Sequence, residues 1–516
     1  MLWLGETSFT AFFRLKSFAV YEDGINFADH FREAVADFLW KGASCLHSTS
    51  CISPNNPGSH SLPALTNNAM ESPYLSTFSY RRIWQIAFPI LISTLIEQMI
   101  GMTDTVFLGR VSEVALGASA LAGVYYLVLF MLGLGFSMGV QIVIGRRNGE
   151  GRLEETGHVF WHGLYFLVVL GLFVTLLSEI LSPYILRAMV QSPDVLAAAS
   201  GYVRWRVAAL SVGFATAMLR AFFIGTMQTR ALMVNSLVML LSNFLLNWML
   251  VFGHFGLPAL GIEGAAIGSA LAEVISLVAF VLYTRRHCDV RRYGLQRLPR
   301  WQWRVMRPIW GVAAWKMVQS FLSIGTWFTF FLFIEHTGER ALAVSNVVRN
   351  ISGLVWMMLV AFASTGSTMV SNAIGSGHSE LVGLLVGRVL RFSYLVILPL
   401  LLVISVFPET FIRIYTDIPD LIGASVPSLL VLCASYLLSI PAFVLFDAVS
   451  GTGNTKSAFA LEMLALVIYV AYCAVVIEWL RCDVAVCWIA EAVYAAVMFL
   501  CSALYLRSGR WRGMEV

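Results

Sequence analysis

Near the start of its first long apolar run the chain reads IGMTDTVFLGR, Ile100 to Arg110, which places Asp104 inside a segment otherwise fit for lipid. An ionised carboxylate there costs about 3 kcal/mol or more unless something compensates it. Counting depth along ideal helices shows what could do so. Asp104 lies six residues inside the boundary at Arg110, about 9 Å at 1.5 Å per residue. In the fifth apolar run Asn247 lies six residues before Gly253, with Asn243 one turn deeper on the same face; in the sixth, Ser269 lies eight residues past Gly261, with Glu273 one turn deeper. These groups share a depth and could share a pocket. A carboxylate, two amide carbonyls and a hydroxyl supply oxygens for a hard cation, or the hydrogen bonds that a proton-carrying aspartate needs in both its states. Glu97 precedes Asp104 by seven residues and faces the same way, so one stripe of the first run is acidic at two depths.

Other chemistries find little support. Paired carboxylates, histidine clusters and Ser/His constellations do not occur in the segments between apolar runs, and His254, His287, His336 and His378 stand alone. The eight cysteines form no CxxC pair or zinc-like spacing. GEGR and GTGNTK lack the GxxxxGK[ST] spacing of a nucleotide loop and read as turns at helix ends. The chain is expected not to be an enzyme, to hold no cofactor or structural metal, and to draw any work it does from an ion gradient.

The elements that must position these residues follow from composition. Of 516 residues, 58% are hydrophobic and 12% charged, more apolar side chain than a water-soluble surface allows. About twelve runs of spanning length are expected, near 83–108, 114–144, 159–182, 196–226, 231–252, 262–284, 308–334, 341–371, 383–406, 422–450, 456–479 and 484–506. Basic residues concentrate in alternate connections, RRNGEGR, TMQTR, TRRHCDVRRYGLQRLPRWQWRVMR and GTGNTK among them, whereas GHFGLPALG and EHTGER are poor in Lys and Arg. The positive-inside rule then makes both termini cytoplasmic. A net charge of +4, scattered in these clusters, argues against a nucleic-acid partner. Residues 1–69 are mixed polar and aromatic, and are expected to be a disordered leader or an over-extended start.

The chain also repeats itself at a constant shift. Gly225-Thr-Met-Gln-Thr-Arg230 returns as Gly451-Thr-Gly-Asn-Thr-Lys456, Gly149-Glu-Gly151 falls on Gly375-Ser-Gly377, and Ala115-Leu116 on Ala341-Leu342, each 226 residues on. An even number of runs separates the copies, so the halves share one orientation and an axis along the membrane normal. The expected fold is an all-α integral membrane protein of about twelve transmembrane helices, in two six-helix lobes (70–290 and 291–516) around a central cleft.

The order TDTVFLGR, a basic EG loop, GTMQTR and NFLLNWMLVFGHFGLPALGIEGAAIG, closed by GTGNTK, resembles the multidrug and toxic compound extrusion (MATE) family of secondary transporters, within the multidrug/oligosaccharidyl-lipid/polysaccharide exporter superfamily. The match runs from about Tyr80 to Arg507. The resemblance implies an antiporter that exchanges Na⁺ or H⁺ for small organic, often cationic, drugs or toxic compounds across the inner (plasma) membrane. It also implies that the aspartate of the DT motif, Asp104, is a coupling-ion residue with partners from spans five and six, which here are Asn243, Asn247 and Ser269. Some members carry Asp at the place of Asn247, so this site is less negative and the ion stays open.

The second half departs further. Many members place a carboxylate in span seven, where this chain has Gln319, with Lys316 one turn before it. Asp447 in span ten lies in the same inner half, and an ion pair between Lys316 and Asp447 that opens or reorganises during transport is expected. Glu97, Glu273, Lys316, Gln319 and Asp447 are thus the candidate substrate or coupling path. Arg204, Arg206 and Arg220 are read as helix ends and interface anchors, and Tyr125, Tyr126, Trp356 and Met357 as examples of cleft-lining side chains. The alternative is a lipid-linked oligosaccharide or other lipid flippase of the same superfamily, which would need several cations in its cavity to hold a pyrophosphate. A cleft within one chain needs no partner, so a monomer in the bilayer is expected.

Overall fold

The structure is a computed structural model that describes residues 79–190 and 192–513. The leader expected over 1–69 lies outside the described residues. The transmembrane elements, in chain order, are α1 (Tyr80–Gly109), α2 (Glu113–Gly149), α3 (Leu153–Met189), α4 (Pro193–Ala208), α5 (Leu210–Gly225), α6 (Arg230–Phe252) and α7 (Gly261–His287). The second half follows as α8 (Trp303–His336), α9 (Glu339–Gly375), α10 (Val382–Val406), α11 (Pro419–Gly451), α12 (Thr455–Cys473) and α13 (Ile489–Ser508). Among the described residues there are 11 helices long and apolar enough to span a membrane, and 12 spans when α4 and α5 count as one.

Local chemistry sets the helix ends. Ser79 accepts the amide of Arg82 at 3.3 Å and Ser112 that of Ala115 at 3.0 Å, the short-range caps that the first turns of α1 and α2 require. Gly253 closes α6 in the left-handed region at φ 76°, which favours glycine.

The run expected as one span over 196–226 is bent by 47° between α4 and α5. The bend falls beside the polar end of α4, which carries Arg204 and Arg206. Near it the hydroxyl of Thr175 on α3 donates to the carbonyl of Val207 at 2.9 Å, giving that oxygen a partner close to the break.

The internal repeat is visible in matched hydrogen bonds. The Thr229 hydroxyl donates to the carbonyl of Ile86 at 3.0 Å, joining the turn before α6 to α1. The Thr455 hydroxyl donates to the carbonyl of Val312 at 2.8 Å, joining α12 to α8. Donors and acceptors are both 226 residues apart (455 − 229 and 312 − 86), so the shift read from the loops also relates the packing of the paired helices.

The halves meet along a seam at one end of the bundle, from the middle of α2 to its end. A Cβ on Gly139 would lie 2.3 Å from Cα of Ala313 on α8, and one on Gly149 would lie 2.1 Å from the carbonyl oxygen of Asn372 on α9. Only glycine lets the backbones approach this far, the small-residue packing expected where helices gain nothing from excluding water. Polar bonds lock the same face: Gln141 donates to Thr368 Oγ1 at 2.9 Å, Asn148 donates to Asn372 Oδ1 at 2.7 Å, and Asn372 in turn donates to the carbonyl of Gly225 at 3.0 Å. Towards its other end α2 carries exposed Val114, Leu116 and Leu121.

Candidate functional site

Asp104 sits where α1, α6 and α7 converge. Asn247 donates its side-chain amide to Asp104 Oδ1 at 2.5 Å, and Ser269 donates its hydroxyl to Oδ2 at 3.3 Å. Asn243 donates to Ser269 Oγ at 3.0 Å and accepts from Asn247 at 3.2 Å, closing a ring of four side chains. Asn243 and Asn247 are fully buried and Ser269 is 2% exposed, so water does not complete their bonding. The structure therefore brings together four of the five residues that the depth count placed at one level, leaving out Glu273.

One oxygen in this cluster stands out. Asn247 Oδ1 has no hydrogen-bond partner. A Cβ on Gly268 would lie 2.3 Å from that oxygen, so glycine at 268 is what admits the Asn247 side chain. The arrangement can hold a proton on Asp104, or offer a cation the oxygens of Asp104, Ser269 and the unpartnered amide.

Glu273 is one turn away on α7 and belongs to a second group. Its Oε1 accepts from Arg206 at 2.9 Å and from the Tyr126 hydroxyl at 3.2 Å, and the Arg206 guanidinium lies 4.2 Å from the centre of the Tyr126 ring. Gly213 on α5 leaves room beside Glu273, since a Cβ there would lie 3.3 Å from Oε2. Glu97 pairs with Arg220 and accepts from Ser93, while Ser93 and Ser236 touch through their hydroxyls at 2.6 Å. Two readings from the sequence need correction on this point. Arg206 and Arg220 are counter-ions of carboxylates, the buried Glu273 and the exposed Glu97, rather than interface anchors. The acidic stripe of α1 is correspondingly not a bare pair of negative charges, because Glu97 already has its cation. Acids and arginines lie on different helices, so spacing along the chain could not show their pairing.

Of the four side chains named as cleft lining, Tyr125 bonds Ser178 at 2.9 Å, Tyr126 bonds Glu273, and Trp356 stacks edge-on against Phe443 with ring centres 4.9 Å apart. Met357 is half-buried on α9. These contacts place Tyr125 and Tyr126 in the packing of the first half.

In the second half Lys316 Nζ meets Asp447 Oδ1 at 3.3 Å, with side-chain exposures of 8% and 25%. The structure thus brings together the two residues expected to pair, and Lys316 also lies 5.0 Å from the centre of the Phe446 ring. Gln319 is buried with Oε1 unpartnered. Sequence reasoning missed Glu462 on α12, which is 4% exposed and accepts from both Ser323 and Tyr494. Glu491 on α13 was also missed; it accepts from the Tyr469 hydroxyl at 3.2 Å. A carboxylate inside a predicted span was signal enough for both.

The shift of 226 makes the asymmetry of the halves concrete. Asp104, Asn243, Asn247 and Ser269 map onto Phe330, Tyr469, Cys473 and Ala495. Phe330 and Tyr469 pack with ring centres 6.3 Å apart, and all four residues are buried. The first half's polar ring is an aromatic cluster in the second.

Comparison with known proteins matches this architecture. The MatE family model matches residues 89–249 and again 316–475, once in each half. Relatives include the probable multidrug resistance protein NorM of Thermotoga maritima, 23% identical over 444 residues that cover 84% of this chain and 94% of that protein. The multidrug resistance protein NorM of Aliivibrio fischeri is 25% identical over 358 residues, 69% of this chain and 77% of that one. Among solved structures, an outward-facing multidrug resistance MATE family transporter of the MOP superfamily superposes with a TM-score of 0.76 at 16% identity, covering 83% of this chain and 96% of that one. The eukaryotic MATE transporter AtDTX14 superposes with a TM-score of 0.75 at 17% identity, covering 84% and 96%.

Proposed function

The chain belongs to the MatE family of multi-pass membrane transporters and is not an enzyme, and from that premise we propose that it is a cation-coupled antiporter that exports organic, cationic drugs or toxic compounds. The observation that carries the reading is Asp104, a carboxylate in a membrane span whose two oxygens accept from Asn247 and Ser269 inside a closed ring of polar side chains. Such a group is expensive to keep in a membrane and is usually retained for moving ions. Either H⁺ or Na⁺ fits the donor set: the proton would sit on the carboxylate itself, and Na⁺ would be taken by Asp104, Ser269 and the unpartnered oxygen of Asn247. Binding of one charge at Asp104 would favour one packing of α1 against α6 and α7, and its loss another, which is what exchange of cation for drug requires.

The seam at α2, α8 and α9 lies at the end that carries the basic connections, so we assign that end to the cytoplasm, with both termini there. The cell's inner membrane is the proposed location and a single chain the working unit. A flippase holding a lipid pyrophosphate would need uncommitted cations in the bundle. Arg206, Arg220 and Lys316 are each engaged with a carboxylate, and Arg349 lies over the rings of Phe331 and Trp327, a set of single, separated cations that favours the drug exporter.

The test is reconstitution into liposomes with an imposed H⁺ or Na⁺ gradient and ethidium as the transported cation. Uptake that follows one gradient, and is lost in Asp104→Asn with the protein still folded, supports the reading. Uptake that ignores both gradients overturns it.

A further inference from the structure

Around Lys316 the charges do not balance, and the imbalance falls on Glu462. Lys316 brings one positive charge to a region holding two carboxylates, those of Asp447 and Glu462. Lys316 makes its contact with Asp447, and is close enough to Glu462 to act on it through space. The other groups acting on Glu462 are Tyr494 from α13, Asp447 from α11 and Ser323 from α8, of which only Asp447 carries charge; Glu491, three residues before Tyr494 on α13, is held by Tyr469. An unmatched negative charge in this setting draws a proton or another cation.

Hydrogen bonding singles out the oxygen concerned. The Ser323 and Tyr494 hydroxyls both donate to Glu462 Oε1, whereas Glu462 Oε2 is buried with no partner. That is the pattern of a carboxylic acid, with Oε1 as the carbonyl oxygen and Oε2 as the hydroxyl. An acceptor is also lacking a donor: Gln319 Oε1 is buried and unpartnered. Gln319 and Glu462 stand 226 residues after Ser93 and Ser236, which touch through their hydroxyls at 2.6 Å in the first half. A proton makes Glu462 Oε2 a hydroxyl, and the repeat puts the unpartnered Gln319 at the position equivalent to Ser93, the contact of Ser236 in the first half.

The same shift shows how the halves differ. Arg220, the counter-ion of Glu97, becomes Phe446, and Glu97 becomes Ser323. Lys316 comes in from α8 and lies over the Phe446 ring where the first half has its arginine. The first half thus fixes its carboxylate with a dedicated guanidinium, while the second divides one flexible ammonium between two acids.

We propose that Glu462 is a second, proton-carrying site of this transporter, separate from Asp104, which gains and loses a proton as Lys316 moves between Asp447 and Glu462. The proton goes onto Glu462 Oε2 when Lys316 bonds Asp447, and leaves when Lys316 turns to Glu462. The proposal rests on the antiporter reading for its place in the cycle, but not for the existence of the proton.

The experiment is pH-difference infrared spectroscopy on the reconstituted full chain, with and without tetraphenylphosphonium as the probe, on wild type, Glu462→Gln, Glu462→Asp and Lys316→Met. A protonated-carboxyl band that disappears in Glu462→Gln, persists shifted in Glu462→Asp, and grows in Lys316→Met is the expected result. The band should titrate over a different pH range when tetraphenylphosphonium is bound. A spectrum unchanged by Glu462→Gln at every pH, with the variant eluting as folded protein, overturns the proposal. This band is read without any gradient, so absence of coupled transport in the wild type would sink the antiporter reading alone.

Discussion

Asn247 donates to Asp104 Oδ1 at 2.5 Å, tying the C-terminal part of α6 to the C-terminal part of α1 through one amide and one carboxylate. The contact is made possible by Gly268, which leaves Asn247 room to turn its other amide atom, Oδ1, against the α7 backbone.

Asp104→Asn is expected to keep the fold, since the amide oxygen can still accept from Asn247 while its NH2 donates to the Ser269 hydroxyl oxygen. It removes the charge that a coupling ion must meet. Coupling energies between ligands are about 1–3 kcal/mol, so gradient-driven efflux should fall about 5- to 150-fold. Liposome flux, with ethidium affinity measured separately, checks that binding survives while coupling does not.

Gly268→Ala should mimic Asn247→Ala. A Cβ at 268 overlaps Asn247 Oδ1, so the amide must withdraw from Asp104. Leaving a buried polar group without its partner costs about 1–3 kcal/mol. Both variants should melt earlier in detergent and lose coupling, and the double variant should be little worse than either alone. Full additivity would show that the two positions act independently.

Glu273→Gln strands Arg206, whose side chain is only 15% exposed. Breaking one partner of a buried ion pair costs about 3–5 kcal/mol, whereas removing both is far milder. Thermal unfolding should therefore fall sharply in Glu273→Gln and recover in Arg206→Met/Glu273→Gln. Glu97→Gln should be gentler, because the Glu97 side chain is 39% exposed, against 7% for that of Glu273.

Lys316→Met and Asp447→Asn, singly and together, test the ion pair of the second half. Each single variant should lower efflux, and the double should recover folding without recovering transport. Unchanged efflux and expression in all three would remove the pair from the transport path.

Gly139→Leu is expected to prise open the seam, because its side chain must enter the space of Ala313. Reactivity of a single cysteine placed at Asn372, in a cysteine-free background, towards a membrane-permeant maleimide should rise. Labelling as slow as in the parent protein would mean that the seam tolerates the bulk.

Much of this was legible in the chain. Hydropathy gives the spans because bilayer thickness sets their length, and the shift of 226 gives the repeat because equivalent turns keep equivalent residues. Asp104, Asn243, Asn247 and Ser269 could be collected from depth alone, since each lies a countable number of residues from a charged or glycine-marked boundary. The bend between α4 and α5 was not legible, because the chain stays helical on both sides and the hydroxyl near the break comes from α3.

The sequence by itself determined which helices form, where they begin and which polar residues lie at one depth, because these follow from local caps and from the length of an apolar run. The Lys316–Asp447 pair could be anticipated from depth, but only the tertiary structure decided which carboxylate each arginine meets. Rotation about a helix axis and the identity of the facing helix are set by packing across the bundle. Depth therefore placed Asp104 among its neutral partners, while Arg206 with Glu273, Arg220 with Glu97, and the orphaned oxygen of Glu462 became visible only once the helices were assembled.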